Sequence, residues 1–205
     1  MLASRTSEFN CKSSTMEILS SSSVYSSAPM FFITNTKAVI NLEGCTFTYG
    51  SGIFLDAEGT SEWGNSGSNG GEVALTLTNQ NIEGDFVVDS YSSLTINMVN
   101  SSIKGKINNN KISSIIAITL DAASTITLTG NCYISSLSNS DSTGSNIIKG
   151  TYSFADYNEN EYTASRTGTS TTLQRLLPQL QQILKFQLLH QLPIMEILLI
   201  MTQIS

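Results

Sequence analysis

Apolar residues fall on every second position in Ala38 to Leu42, Val73 to Leu77, Leu94 to Met98 and Ile116 to Leu120. That period places Val73, Leu75 and Leu77, or Leu94, Ile96 and Met98, on one face of a half-buried strand. Each run ends in an apolar residue that is answered by another five positions on: Leu42 with Phe47, Leu77 with Ile82, Met98 with Ile103 and, one residue looser, Leu120 with Ile126. After the last three pairs comes a glycine (Gly84, Gly105, Gly130), and two residues later an apolar position (Phe86, Ile107, Cys132). One structural unit is being repeated, which is the signature of a solenoid.

A second family of short strands is built around Phe31, Ile53, Phe86, Ile107 and Cys132, which the alternation places inward as one column. The steps along that column are 22, 33, 21 and 25 residues. Hexapeptide helices step in multiples of six, so the unequal steps predict an all-β chain folded as a right-handed parallel β-helix with three short strands per coil. A β-sandwich is the competing architecture, because short strands at regular spacing suit it too. Residues of one class at equivalent positions in successive units weigh against it. Leu19 and Val24 share the five-residue spacing and suggest a coil before Phe31. Asn109 falls in an inward column, so it is hydrogen-bonded there or the register slips by one.

Charged residues make up 13% of the chain, and Ser, Thr, Asn and Gly take over the solubilising role. A net charge of −6 and only three arginines (Arg5, Arg166, Arg175) argue against nucleic acid as a partner. The spacings of Cys11, Cys45 and Cys132 match neither a zinc nor a redox motif, and Cys132 reads as a small core residue. No apolar signal-peptide core follows Met1, and no cap for a solenoid precedes the first coil, so the array reads as truncated at its N-terminus. Composition changes sharply after residue 165. Residues 1–165 read as the β-helix; residues 166–205 form a Leu- and Gln-rich tail, either a helical cap interrupted by Pro178 and Pro193 or text from a shifted reading frame. Its last apolar run is too short to span a membrane.

Trp63-Gly64 with Gly67-Ser68-Asn69-Gly70, the segment EVALTLTNQ, Gly84 to Ser90, and Leu128 to Leu137 occur in an order that resembles the secreted carbohydrate-binding β-helix family, polysaccharide-lyase-like in shape and first characterised in a cellulose-degrading bacterium. The resemblance runs from about Met30 to Tyr157. It implies a pectate-lyase-like solenoid, extracellular, that binds cellulose and polygalacturonate-type polysaccharides, is associated with calcium, and has no established catalytic activity. No motif in this chain identifies calcium ligands by that resemblance.

Candidate chemistry follows from the columns. Three residues after the inward column stand Asp56, Asp89 and Asn110, oxygen donors that would form a ladder about 4.8 Å apart suited to a hard cation such as calcium; the competing reading is a column of turn-capping residues. The outward column contains Phe32, Phe54 and Tyr133, and Trp63 lies in the longest insertion. Exposed aromatic faces suit the apolar faces of sugar rings. The Trp63 loop could equally fold over Phe32 and Phe54 as a satellite core. A lyase acting on polygalacturonate needs a base, and with no arginine between Arg5 and Arg166 the nearest substitutes are Lys104 and Lys106, which read as solvated charges. His190 lies in the tail. The expected function is therefore noncatalytic polysaccharide binding, with a lyase or an adhesin-like structural solenoid as alternatives.

Overall fold

The computed structural model describes residues 6–113 and 115–162; the tail expected from residue 166 onward, with His190, lies outside them. Every regular element among the described residues is a strand. Strands β1 (Thr6–Lys12), β4 (Lys37–Glu43), β7 (Glu72–Thr78), β10 (Ser93–Val99), β12 (Ile116–Leu120) and β15 (Ser136–Asn139) pair side by side as a first wall. The second wall holds β2 (Thr15–Glu17) with β5 (Thr46–Thr48) and, as a separate sheet, β8 (Asn81–Glu83), β11 (Ser102–Gly105), β13 (Thr125–Leu128) and β16 (Ile147–Ile148). The third wall holds β3 (Phe31–Ile33), β6 (Ile53–Ala57) and β9 (Asp85–Val88), then β14 (Cys132–Tyr133) with β17 (Phe154–Ala155). In coil four this wall is reduced to Ile107, which bridges Phe86.

All twelve strand pairings are parallel, and the chain visits the three walls in turn. A Greek-key sandwich needs antiparallel neighbours, so that alternative is excluded. The arrangement is all-β, parallel-stranded and β-helix-like.

The first wall explains why the period-two pattern is so clear. Ile40, Leu75, Ile96 and Ile118 stand in one register column, Leu42, Leu77, Met98 and Leu120 in the next, all buried. Each such side chain contributes about 1.5–3 kcal/mol of transfer free energy. Their outward neighbours carry cross-coil ion pairs at register positions, including Lys12 with Glu43 and Lys37 with Glu72.

The five-residue pairing is the geometry of the corner after this wall. Following Leu77, Thr78 points out, Asn79 takes a left-handed φ of 50°, Gln80 turns in, Asn81 points out and Ile82 is buried again. Ser13, Gly44 and Asn100 adopt the same left-handed conformation in their own coils, a conformation that Gly and Asn tolerate best. The inward polar residues then satisfy one another: Gln80 N–H donates to Ser101 Oγ and Ser101 N–H to Ser124 Oγ, each at 3.0 Å. At the next corner the glycine column is steric, since a β-carbon on Gly105 would sit 2.0 Å from the Gly84 carbonyl oxygen.

Two expectations change at the first coil. Leu19 and Val24 are exposed, and the inward pair of that coil is Cys11 with Met16, in register with Leu42 and Phe47. Cys11 is also joined to Cys45 by a disulfide that closes 34 residues and ties the first coil to the second. Loop-closure entropy assigns a crosslink of that span about 4 kcal/mol. Cys132, by contrast, is a fully buried thiol whose pKa burial pushes up to about 12.

Candidate functional site

The third wall carries Phe32, Phe54, Asp56 and Tyr133, and one irregularity decides which way they face. In β6, Ile53 pairs with Asp85 and Leu55 with Phe86, so Phe54 is an inserted residue, a β-bulge. Both Phe54 and Leu55 are 0% exposed. The Phe54 ring lies 5.4 Å from those of Phe31 and Phe47 and 5.5 Å from that of Phe86. The outward placement of Phe54 is thus corrected: its ring belongs to the core and offers no face to a ligand. The inward column runs Phe31, Leu55, Phe86, Ile107, with Leu55 in the place expected for Ile53.

The bulge also moves Asp56. It stands opposite Phe32 and Val87, on the outward face, while Glu58 occupies the corner position equivalent to Asp89. The expected ladder of Asp56, Asp89 and Asn110 is therefore out of register. Both carboxylate oxygens of Asp89 are engaged by main-chain donors, Gly59 N–H at 2.8 Å and Tyr91 N–H at 3.0 Å, which is the turn-capping reading. Asn110 is exposed in the following turn. Asp56 has a buried Oδ1 with no hydrogen-bond partner, and desolvation, with the charges of Glu58 and then Asp89, raises its pKa to about 6. Among the described residues no group of three His, Cys, Asp or Glu side chains is placed to hold a metal ion. The expected ladder is therefore not formed as such, because Asp56 is displaced and the Asp89 oxygens each already accept a main-chain hydrogen bond.

The register slip anticipated near Asn109 falls one residue earlier. Asn108, beside it, is 3% exposed with φ 50°. Its amide donates to the carbonyls of Ser113 at 2.7 Å and Tyr133 at 3.0 Å, and its Oδ1 accepts from the N–H groups of Ile112 and Ser113. Asn109 is exposed.

Three aromatic candidates remain on the surface. Phe32 is 46% exposed and Trp63 61% exposed, so the long loop does not bury them as a satellite core. That loop is pinned by Asn69, itself 1% exposed, whose amide donates to the carbonyls of Thr60 and Trp63 and whose own carbonyl takes the Asn35 N–H. Tyr133 is half-buried; the Lys111 ammonium sits 5.4 Å from its ring centre, 5.7 Å from that of Tyr157, and pairs with Glu159 at 2.6 Å.

On this wall a groove of about 320 Å³ is lined by Val87, Glu58, Asp89, Asp85, Lys106 and Asn110 among others, with Phe32 and Tyr133 outside its lining. Phe32 and Tyr133 are four strand steps apart along the stack, roughly 19 Å. Lys106 pairs with Asp85 at 3.0 Å and Lys104 with Glu83 at 2.7 Å, so both lysines are ion-paired across coils. Sequence reasoning missed Tyr91, 57% exposed beside the Trp63 loop, and the Lys111 bracket on Tyr133; neither Tyr91 nor Lys111 lies in a strand column. Comparison with protein-family models, characterised proteins and solved structures returned no match to this chain.

Proposed function

We propose that this chain is a noncatalytic carbohydrate-binding protein that holds a plant cell-wall polysaccharide along the outward face of its third wall. The observation that carries the reading is the outward face of the third wall, where a groove lined with hydrogen-bonding groups lies among strands that also carry the exposed Phe32 and the half-buried Tyr133. Trp63 offers a further exposed ring from the loop between β6 and β7. Aromatic rings supply apolar area at low entropic cost, and the Asp, Asn and Lys side chains of the groove can exchange hydrogen bonds with sugar hydroxyls.

Charge favours an uncharged, cellulose-like chain over a pectin-like one. Glu58, Asp85 and Asp89 line the groove, Asp56 stands beside Phe32, and the chain as a whole carries −6. A polyuronate would meet like charges at close range. Calcium has no part in this proposal, since the expected ladder is not formed. The right-handed, pectate-lyase-like form of the coil and an extracellular location belong to the same reading; the Cys11–Cys45 disulfide supports the latter, since such bonds persist in oxidising compartments.

Sedimentation with insoluble cellulose tests the proposal. Binding is expected, weakened about fivefold or more by Trp63→Ala or Phe32→Ala with the melting temperature retained. Polygalacturonate is expected to bind more weakly, with no response to a calcium chelator and no unsaturated uronide released. Failure to bind cellulose, or full binding by the Phe32→Ala/Trp63→Ala double variant, overturns it.

A further inference from the structure

The second wall is interrupted between β5 and β8, although the same two coils are joined normally on either side, by β4 with β7 and by β6 with β9. Two side chains hold the interruption. At one end the Gln80 amide stands in for main chain: its Oε1 accepts the Cys45 N–H at 2.8 Å and its Nε2 donates to the Cys45 carbonyl. At the other end the Tyr49 hydroxyl donates to the Glu83 carbonyl at 2.6 Å.

The direction of the main-chain groups between these clamps follows from the bonds around them. Thr46 N–H bonds the Ser14 carbonyl and the Thr48 carbonyl takes the Ile18 N–H, so Thr46 and Thr48 face β2 and the main chain of Phe47 faces the opening. Ser102 N–H bonds the Gln80 carbonyl and Gly84 N–H the Lys104 carbonyl, so the main chains of Asn81 and Glu83 face it from the other side. The opening is a cleft of about 360 Å³ lined by Phe47, Tyr49, Asn81, Glu83, Ser102 and Lys104 among others.

We propose that this cleft is a second binding site, for a single uncharged pyranose ring. Its volume is at the small end of ligand sites, and the paired walls on both sides keep the two coils too close for a peptide strand to enter. Its chemistry is mixed in the manner a sugar requires. Phe47 and Tyr49 supply an aromatic side, and the unpaired strand edges supply main-chain donors and acceptors. The charged groups are already neutralised, Glu83 by Lys104 at 2.7 Å, and Ser102 Oγ donates to Asn81 Oδ1 at 2.7 Å. A phosphate or carboxylate would find no free cation there. The site lies on the second wall and does not depend on the groove of the third.

Titration of the ¹⁵N-labelled chain with methyl glycosides of glucose, galactose, mannose and xylose, followed by amide chemical shifts, tests the proposal. At least one glycoside is expected to shift the Phe47, Asn81 and Glu83 amides saturably, with a Kd on the order of 1 mM. Asn81→Leu, an exposed substitution that replaces a hydrogen-bonding group of the cleft lining with an apolar one, should abolish those shifts, and Trp63→Ala should leave them intact. Shifts confined to the third wall, shifts that survive Asn81→Leu, or none with any of the four glycosides overturn it.

Discussion

The first and third walls share the same coils, yet one keeps perfect register through six strands and the other breaks it twice. In the first wall Ile40, Leu75, Ile96 and Ile118 stack without an inserted residue. In the third, Phe54 is inserted in β6 and coil four contributes one bridging residue, Ile107. The regular wall exposes paired charges and small polar side chains such as Lys12, Asn97 and Thr119, whereas the irregular wall exposes Phe32, half-buries Asp56 beside it and carries the groove. Irregularity is what re-aims side chains outward or inward independently of the period.

The largest expected effect tests whether the bulge builds core as firmly as the regular register does. Phe54→Ala should destabilise by about 3–5 kcal/mol, in the same range as Leu75→Ala at about 2–5 kcal/mol in the first wall. Phe32→Ala, on the outward face of the neighbouring strand, should stay within about 0.5 kcal/mol. Urea midpoints of the three variants decide the matter. A cheap Phe54→Ala would mean that the bulge leaves the ring outside and that the two walls differ in packing as well as register.

The same contrast explains what could be read from the sequence. Four of the six strands of the first wall were legible, because Val73, Leu75 and Leu77 or Leu94, Ile96 and Met98 obey a strict period of two; β1 and β15 carry no such apolar run and were not. The third wall was legible only in outline. A bulge preserves the composition of a strand while shifting its phase, so IFLDA reads as alternating from Ile53 when its paired register resumes at Leu55; Phe54 and Asp56 were misplaced by that one residue. Asn108 was missed for a related reason, since a left-handed residue inside a wall turns its side chain against the period. The Cys11–Cys45 disulfide was invisible because it bridges neighbouring coils, and its spacing is set by coil length.

A smaller effect is expected at Asn108, where the third wall departs from strand geometry altogether. Asn108→Ala removes four hydrogen bonds from a buried position and leaves an alanine at φ 50°, at a cost on the order of 2–3 kcal/mol. Asn108→Gly loses the same bonds but tolerates the conformation, so it should be milder by about 1 kcal/mol. Equal losses in thermal unfolding would assign the whole effect to hydrogen bonding.

The smallest effect is a pH dependence confined to the irregular wall. Asp56 has an ordinary carboxyl pKa of 3.8 raised to about 6 by desolvation and by Glu58 and Asp89. The folded form therefore holds a proton that the unfolded chain has already released. Between about pH 4 and pH 6 folding binds more protons than unfolding, so this group's contribution to stability falls as pH rises through that window and stays lower above it. Asp56→Asn mimics the protonated carboxyl at every pH. It should raise the melting temperature at pH 8 by on the order of 3 °C and change little at pH 4, where the native carboxyl is already neutral. A matched substitution in the first wall, Asn97→Asp, places a carboxylate on a regular, exposed strand position and should show no such window. If Asp56→Asn gives the same shift at both pH values, the carboxyl is not held proton-loaded by its surroundings. The bulge would then have reoriented a side chain without perturbing its charge.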